Sequence, residues 1–300
     1  MLTQNKPGKI KPLFMWAGGK NKMIKKYLQN PGLPRNFEVY VEPFFGAGAM
    51  FLWVAQNISG IKRFIINDKN QYIMGIFHSI KFDVDNFISE LSVLQAEYIP
   101  LDKAERKVFY YALRSKYIKN ACNEKETKEA AVLYFLMKTG FNGVWQSTKE
   151  SGDKFATPSG LLNQKTQVFD EYNIRLWHEL LQKTEINSGD WKNVCQPVKY
   201  EKSKAFFFFD PPYRDCFTVY SQIFGDKQQK ELVETSIKLS ENHDVFVCNR
   251  DSGDRFFENI KNNLNIEYYD VTYTAGRRKR NEDGSHSAKK AKEVLLHNLK

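Results

Sequence analysis

The sequence predicts an α/β fold built on a mostly parallel seven-stranded sheet, and three observations carry that expectation. Seven strand-like runs are spread along the chain: VYVE (39–42), RFIIN (63–67), TEIN (184–187), AFFFF (205–209), DVFVCN (244–249), IEYYDVTY (266–273) and EVLLH (293–297). Helical patterns fall between several of them, in NKMIKKYLQ, GAMFLWVAQNI and KQQKELVETSIKLSEN. Strands that alternate with helices favour a parallel sheet covered on both faces. The last two runs are separated by a basic stretch instead of a helix, which predicts a terminal β-hairpin and one antiparallel edge strand.

The 300 residues suffice for one large domain, or for a domain with a sizeable insertion. From about Asn70 to Ile174 the alternation stops: the chain is helical, then irregular through the turn-rich QSTKESGDKFATPSG. Residues 70–174 therefore look like a helical subdomain set into a domain of residues 1–69 and 175–300. An apolar fraction of 42% is ordinary for a globular protein. No run approaches the roughly 18 apolar residues needed to span a bilayer. The N-terminal MLTQNKPGKIKPLF lacks the apolar core of a secretion signal, so a cytoplasmic location is expected and no membrane partner. Cys122, Cys195, Cys216 and Cys248 stand singly, without a CxxC or a histidine at ligand spacing, which predicts free thiols and no metal site. A net charge of +10 favours a polyanionic partner. Residues 277–292 hold seven Lys or Arg, among them Arg277, Arg278, Lys279 and Arg280, against two acids; a solvated loop is the competing reading.

In VEPFFGAGAMFLWVAQNI the chain runs from strand through a glycine turn into a helix, and Gly46 and Gly48 let backbone N–H groups approach a ligand. Phe51 stands where a dinucleotide fingerprint has its third glycine, which counts against NAD. Asp68 follows Gly48 by twenty residues at the end of RFIIN, where a carboxylate can grip two ribose hydroxyls; capping the next helix is the plainer role. Upstream, FMWAGGKNKMI offers paired glycines and Lys20 at a helix start, suited to a carboxylate or phosphate, or to a simple cap.

In AFFFFDPPY (205–213) a buried strand ends at a carboxylate and two prolines. Ligands of open parallel sheets sit beyond the carboxyl ends of the strands. Proline has no N–H, so the turn offers acceptors, the Asp210 carboxylate and the Pro211 carbonyl. Acceptors without donors suit an exocyclic NH2, a poor nucleophile whose lone pair is delocalised into its ring. Accepting both hydrogens draws that nitrogen towards tetrahedral geometry, and Tyr213 can stack on a base that has left the duplex.

These motifs together resemble, over nearly the whole chain and in family order, the Dam-type DNA adenine methyltransferases that use S-adenosylmethionine. WAGGK (16–20), EPFFGAG (42–48), NDKN (67–70), SGDW (188–191), DPPY (210–213) and CNRDS (248–252) carry the resemblance. It implies a Rossmann-like methyltransferase fold, N6 methylation of adenine in double-stranded DNA, S-adenosyl-L-homocysteine as by-product, and no metal. It also implies that Trp16, Ala17, Gly18, Gly19 and Lys20, with Glu42, Pro43, Phe44, Phe45, Gly46, Ala47 and Gly48, hold the cofactor's methionine end. Asp68 would take the ribose, Asp190 and Trp191 the cofactor adenine, and Asp210, Pro211, Pro212 and Tyr213 the target base, with Asp210 also facing the cofactor. Residues 70–174 would be the target-recognition domain, and GFNGVWQSTKESGDKFATPSG (140–160) its DNA-contacting hairpin. Gln146, Ser147 and Thr148 stand where the family pattern has Arg-Tyr-Asn, so recognition of GATC does not carry over. Lys138, Asn142, Gly143, Trp145, Gln146 and Lys149 are the DNA-contact candidates there, Trp145 as either a core residue or a wedge. The nearest rival is an N4-cytosine methyltransferase; an RNA methyltransferase and a binding protein without turnover are the others. A monomer acting on one base at a time suffices, with a weak dimer on DNA as the alternative.

Overall fold

The computed structural model describes residues 8–16, 19–120, 126–160, 166–199, 201–214, 224–273, 279–280, 286–287 and 289–300. In chain order the elements are α1 (Asn21–Gln29), β1 (Val39–Glu42), α2 (Ala49–Asn57), β2 (Arg63–Asp68), α3 (Gln71–Phe82), α4 (Val84–Tyr98), α5 (Lys103–Lys119) and α6 (Thr127–Thr139). There follow α7 (Glu171–Leu181), β3 (Thr184–Ser188), α8 (Lys192–Lys199), β4 (Ala205–Phe209), α9 (Asp226–Leu239), β5 (Asp244–Asp251), α10 (Phe256–Ile260) and β6 (Asn265–Tyr273). The last strands are β7 (Lys279–Arg280), β8 (His286–Ser287) and β9 (Lys289–His297).

Seven strands form one sheet in the order β3-β2-β1-β4-β5-β9-β6. The pairs β1–β2, β1–β4 and β4–β5 are parallel, in the register Val39↔Ala205 and Phe206↔Asp244 for the last two. All residues of β1 and β4 are buried, as befits strands with both faces covered. The expected hairpin forms with one difference. Its antiparallel strand is not at the edge: β9 inserts between β5 and β6 and is antiparallel to both, so β6 is the edge. Antiparallel pairing on both sides lets the last strand fill a gap that a parallel strand would need another crossover to reach. The basic stretch between them is not simply a loop, because Lys279↔Ser287 and Arg280↔His286 pair as a short separate ribbon. Arg277 and Arg278 lie outside the described residues.

The chain packs as two compact units, one of residues 1–20, 46–59 and 68–189 and one of residues 21–45, 60–67 and 190–300. The first is mainly helical. Asn70 caps α3 by accepting from the N–H groups of Tyr72 and Ile73, and a reciprocal Asp102–Glu105 capping box starts α5. Its core is aromatic: Phe51 stacks on Trp177 at 5.8 Å, and Tyr98 meets Phe135 edge-on at 5.2 Å. The 174/175 point falls inside α7. In the second unit Phe207, Phe209, Val245, Val247, Val294 and Leu296 form an apolar layer with Leu232 and Val233 of α9. Cys195 and Cys248 are buried thiols that form no disulfide; Cys122 and Cys216 lie outside the described residues. No described helix is long and apolar enough to cross a membrane, and no group of three or more His, Cys, Asp or Glu among the described residues is placed to hold a metal.

Candidate active site

In the second unit, β1 and β4 are neighbours at the point where the strand order turns, since β2 lies beyond β1 and β5 beyond β4. Such a switch point is where open α/β sheets bind ligands, beyond the carboxyl ends of the strands. Glu42 ends β1, is 3% exposed, and accepts from the Tyr40 hydroxyl at 2.7 Å. The loop after it is pinned to the end of β2: Asn67 Nδ2 donates to the Pro43 carbonyl at 3.0 Å and Phe45 N–H to the Asn67 carbonyl at 2.9 Å. Phe44 packs at 6.1 Å on Trp191, which in turn meets Phe209 edge-on at 6.1 Å. Trp191 is thus a buried ring beside the residue that precedes Asp210, while the neighbouring Asp190 is exposed and accepts from Lys192 N–H at the start of α8.

The turn after β4 is held by buried polar groups. Gln229, fully buried on α9, donates to the Pro212 carbonyl at 2.8 Å and accepts from Asn249 Nδ2 at 3.0 Å. Asn249 Oδ1 accepts from the N–H groups of Arg214 at 3.1 Å and Arg250 at 2.9 Å. Among the described residues no donor reaches the Pro211 carbonyl. Tyr213 donates its hydroxyl to Glu293 at 3.1 Å, and Glu293 is buried on β9. Burial, with Asp210 and Glu293 adding to it, holds the Tyr213 phenol well above its ordinary pKa, so it stays a donor. Tyr40 is raised in the same way by burial and by Glu42, and Asp210 acts on it as well. Arg214 forks onto two carboxylates, Asp226 at 2.7 Å and Asp254 at 2.9 Å, with its guanidinium 3.9 Å above the Phe256 ring. Burial works against its charge, but the hydrogen bonds it donates to Asp254 and Asp226 outweigh that and raise its pKa.

In the first unit, Gly46 has a left-handed φ of 52°, and a Cβ there would lie 2.8 Å from the Trp16 indole. Its N–H donates to Asp68 Oδ2 at 2.8 Å, and Asp68 Oδ1 accepts from Asn70 N–H at 2.9 Å. The cap of α3 is therefore Asn70 and not Asp68, which instead fastens the glycine loop and the backbone of Asn70. Gly48 begins α2 in a left-handed conformation, Ala47 is half-buried between the two glycines, Gly19 is exposed and Lys20 is 4% exposed. Ala17 and Gly18 lie outside the described residues.

The 140–160 segment of the same unit is a hairpin closed at its base by the Gly140↔Ser159 bridge and the bond from Phe141 N–H to the Pro158 carbonyl at 2.8 Å. Gly160 is needed there, because a Cβ on it would sit 2.6 Å from the Gly140 carbonyl oxygen. Tyr110 and Arg114 of α5 back the hairpin by donating to Thr157 and Ala156 carbonyls, each at 2.8 Å. Asn142, Gln146 and Lys149 are exposed, and Gly143 closes a short 3-10 turn. Lys138 is half-buried, its ammonium reaching the Leu13 carbonyl at 3.4 Å. Trp145 is half-buried between Tyr72, Trp16 and Phe155. A cavity of about 350 Å³ opens between α5 and the hairpin, lined by Arg114, Ser115, Lys119, Thr148, Lys149 and Glu150 among others. Lys279 and Arg280 contribute backbone to the β7–β8 ribbon.

Sequence reasoning missed Glu293, Gln229 and the Arg214 clamp. An acid opening the apolar run EVLLH was a usable signal for the first, since a buried carboxylate needs a partner. Nothing local announces the other two.

Comparison with known proteins identifies the family. The sequence profile of the D12 class N6 adenine-specific DNA methyltransferases matches residues 16–275. The chain is 33% identical over 269 residues to the type II methyltransferase M.MjaIII of Methanocaldococcus jannaschii, covering 86% of this chain and 90% of that one. It is 28% identical over 252 residues to the DNA adenine methylase of Haemophilus influenzae, 81% of each chain. It is 26% identical over 286 residues to the type II methyltransferase M1.LlaDCHI of Lactococcus lactis subsp. cremoris, covering 92% and 93%. With the profile spanning most of its length and the acceptor turn at the sheet's switch point, the chain belongs to the D12 class of N6 adenine-specific DNA methyltransferases, enzymes that methylate adenine in DNA using S-adenosylmethionine.

Proposed function

We propose that the turn Asp210–Tyr213 is the reaction centre and that it acts on an adenine rotated out of duplex DNA. The observation that carries this reading is the acceptor-only turn at the switch point: a half-buried carboxylate beside a carbonyl that no described donor reaches, while the neighbouring Pro212 carbonyl is occupied by Gln229. Asp210 and Pro211 accept the two N6 hydrogens and localise the nitrogen lone pair. Tyr213, its hydroxyl anchored on Glu293, presents a ring of fixed orientation for the base to stack on. No covalent enzyme intermediate is needed, and positioning with fixed dipoles provides most of the acceleration.

The residues fit the cofactor on two independent grounds. The glycine loop leaves a backbone cradle at Gly46 that a side chain would fill. Asp210 acts on both buried Tyr27 and buried Tyr40, beside buried Glu293 at the first and buried Glu42 at the second, and such a concentration of negative charge suits a cationic ligand. S-adenosylmethionine supplies a methyl group on a positively charged sulfur, open to direct displacement. Trp16, Lys20 and the loop from Glu42 to Gly48 hold its methionine end, Asp68 its ribose, and Asp190 with Trp191 its adenine. Residues 70–174 serve as the target-recognition domain. Asn142, Gln146 and Lys149 project towards DNA, Lys138 supports them from the hairpin base, and the cations around the 350 Å³ cavity neutralise backbone phosphates. Lys279 and Arg280 provide a second basic contact from the β7–β8 ribbon. The enzyme acts as a monomer on chromosomal or other double-stranded DNA in the cytoplasm.

Nucleoside mass spectrometry of unmethylated DNA incubated with the protein and S-adenosylmethionine tests this directly. N6-methyladenine is the expected product. N4-methylcytosine, or no modified base at all, would overturn the assignment of the target.

A further inference from the structure

We infer that Trp145 is a positioning residue that ties the glycine loop to the recognition hairpin, so that cofactor and DNA strengthen each other's binding. This rests on the assignment of the glycine loop to the cofactor and of the 140–160 hairpin to DNA.

Within the first unit, six residues close a ring of direct contacts. Gly46 carries no Cβ because the Trp16 indole occupies that space at 2.8 Å. Trp16 meets Trp145 with ring centroids 6.2 Å apart, and Trp145 stacks nearly parallel on Tyr72, 6.1 Å apart and 18° between planes. Tyr72 N–H donates to Asn70 Oδ1 at 3.1 Å, Asn70 N–H to Asp68 Oδ1 at 2.9 Å, and Asp68 Oδ2 accepts from Gly46 N–H at 2.8 Å. The ring thus begins and ends at the same glycine. Trp145 is its hairpin member; the other five belong to three of the motifs assigned to the cofactor and to the first turn of α3.

The hairpin grips the ring a second time. Asp153, eight residues further along it, accepts the Tyr72 hydroxyl at 2.8 Å through its side chain and Trp145 Nε1–H at 3.2 Å through its backbone. Phe155, fully buried, meets the Trp145 ring edge-on at 5.3 Å. A tryptophan inserted in this way has its flat face committed to Tyr72 and is placed to transmit, not to leave its site and wedge into a duplex.

The physical consequence is a shared ordering cost. A ligand resting on the Gly46 loop restrains Trp16 against Trp145, and a duplex on the hairpin restrains Trp145 against Trp16. Whichever binds first orders the stack for both, which gives positive coupling without a large movement. Coupling of this kind is reciprocal: the factor by which the cofactor tightens DNA equals the factor by which DNA tightens the cofactor.

The test is a binding cycle with S-adenosyl-L-homocysteine and a fluorescein-labelled duplex that the wild type methylates. Duplex dissociation constants are measured by anisotropy with and without saturating S-adenosyl-L-homocysteine, for wild type, Trp145→Ala, Trp145→Phe and Tyr72→Leu. In the wild type, S-adenosyl-L-homocysteine is expected to tighten the duplex about tenfold. In Trp145→Ala the ratio falls close to one while S-adenosyl-L-homocysteine alone binds within about threefold of wild type. Trp145→Phe, which keeps an aromatic face, restores most of the ratio, and Tyr72→Leu lowers it by removing the ring behind Trp145. A wild-type ratio near one, or an equal ratio in wild type and Trp145→Ala, overturns the inference. If the wild type methylates no duplex, the functional reading itself has failed, and the inference with it; methylation with unaltered coupling defeats the inference alone.

Discussion

Two turns of this protein solve opposite problems. The turn after β4, Asp210–Arg214, is fixed from outside itself: Gln229 and Asn249 hold its backbone, Glu293 holds Tyr213, and Asp226 and Asp254 hold Arg214. The 140–160 hairpin is fixed by its own rungs and by α5 beneath it, while Asn142, Gln146 and Lys149 at its surface project into solvent. On the assignment proposed above, the difference separates chemistry from choice. A reacting nitrogen tolerates little displacement of its acceptors, so the groups that hold them are buried and polar. Reading a base sequence needs exchangeable side chains on a stable frame, so the rungs are constrained and the tips are not. Two segments of similar polarity in the sequence therefore have unequal tolerance to substitution.

Removing a member of the first turn is expected to have the largest effect. Asp210→Ala should lower methyl transfer by about a thousandfold, the scale for loss of one preorganised electrostatic contact, with S-adenosyl-L-homocysteine affinity nearly unchanged. Tritiated methyl transfer together with calorimetry measures both; wild-type turnover would refute the mechanism. Next comes the clamp. Arg214→Ala should slow turnover about tenfold with little change in the KM for S-adenosylmethionine, the modest figure reflecting that Asp226 and Asp254 are half exposed. Arg214→Lys should not restore the rate, because an ammonium cannot fork onto two carboxylates; full rescue by lysine would reduce the clamp to simple charge.

Gly46→Ala probes the frame of the first unit. Its positive φ and the 2.8 Å approach of Trp16 predict a loss of about 1–2 kcal/mol in urea unfolding, with weakened cofactor binding. An unchanged unfolding midpoint would mean that the loop relaxes freely. The smallest change belongs to the exposed cations. Lys119→Ala and Lys149→Ala should each reduce the slope of log affinity for DNA against log salt by about 1 and leave stability alone. A slope unchanged in the double variant would remove the cavity from the DNA footprint.

The strands were legible because their local composition agrees with their burial. AFFFF is β4 to the residue, and VYVE is β1. Glycine and proline punctuation placed Gly48 and Asp210 correctly at element ends for the same reason: backbone constraints are written in the residues that obey them. What escaped was partnership across distance. EVLLH was visible as a strand, but β9 begins four residues earlier, at Lys289, because pairing with Tyr273 and its neighbours extends it through charged residues that no apolar period marks. Its place between β5 and β6 is likewise a property of two edges meeting. α8 went unread because Pro197 lies within it. The clamp joins residues 214, 226 and 254, each an ordinary surface charge until folding brings them together.

The position of β9 also sets the order in which the molecule can be assembled. When α9 and β5 have packed on β4, the far edge of β5 still shows Phe246, Val247 and Cys248 unpaired, awaiting His297, Leu296 and Leu295. Closing that edge requires a contact across the whole of β6 and the basic ribbon, a long-range pairing of the kind that slows folding. Tyr213 has no Glu293 to rest on until then. On the proposed assignment, a chain short of that pairing holds a nearly finished sheet whose reaction-centre tyrosine lacks its anchor.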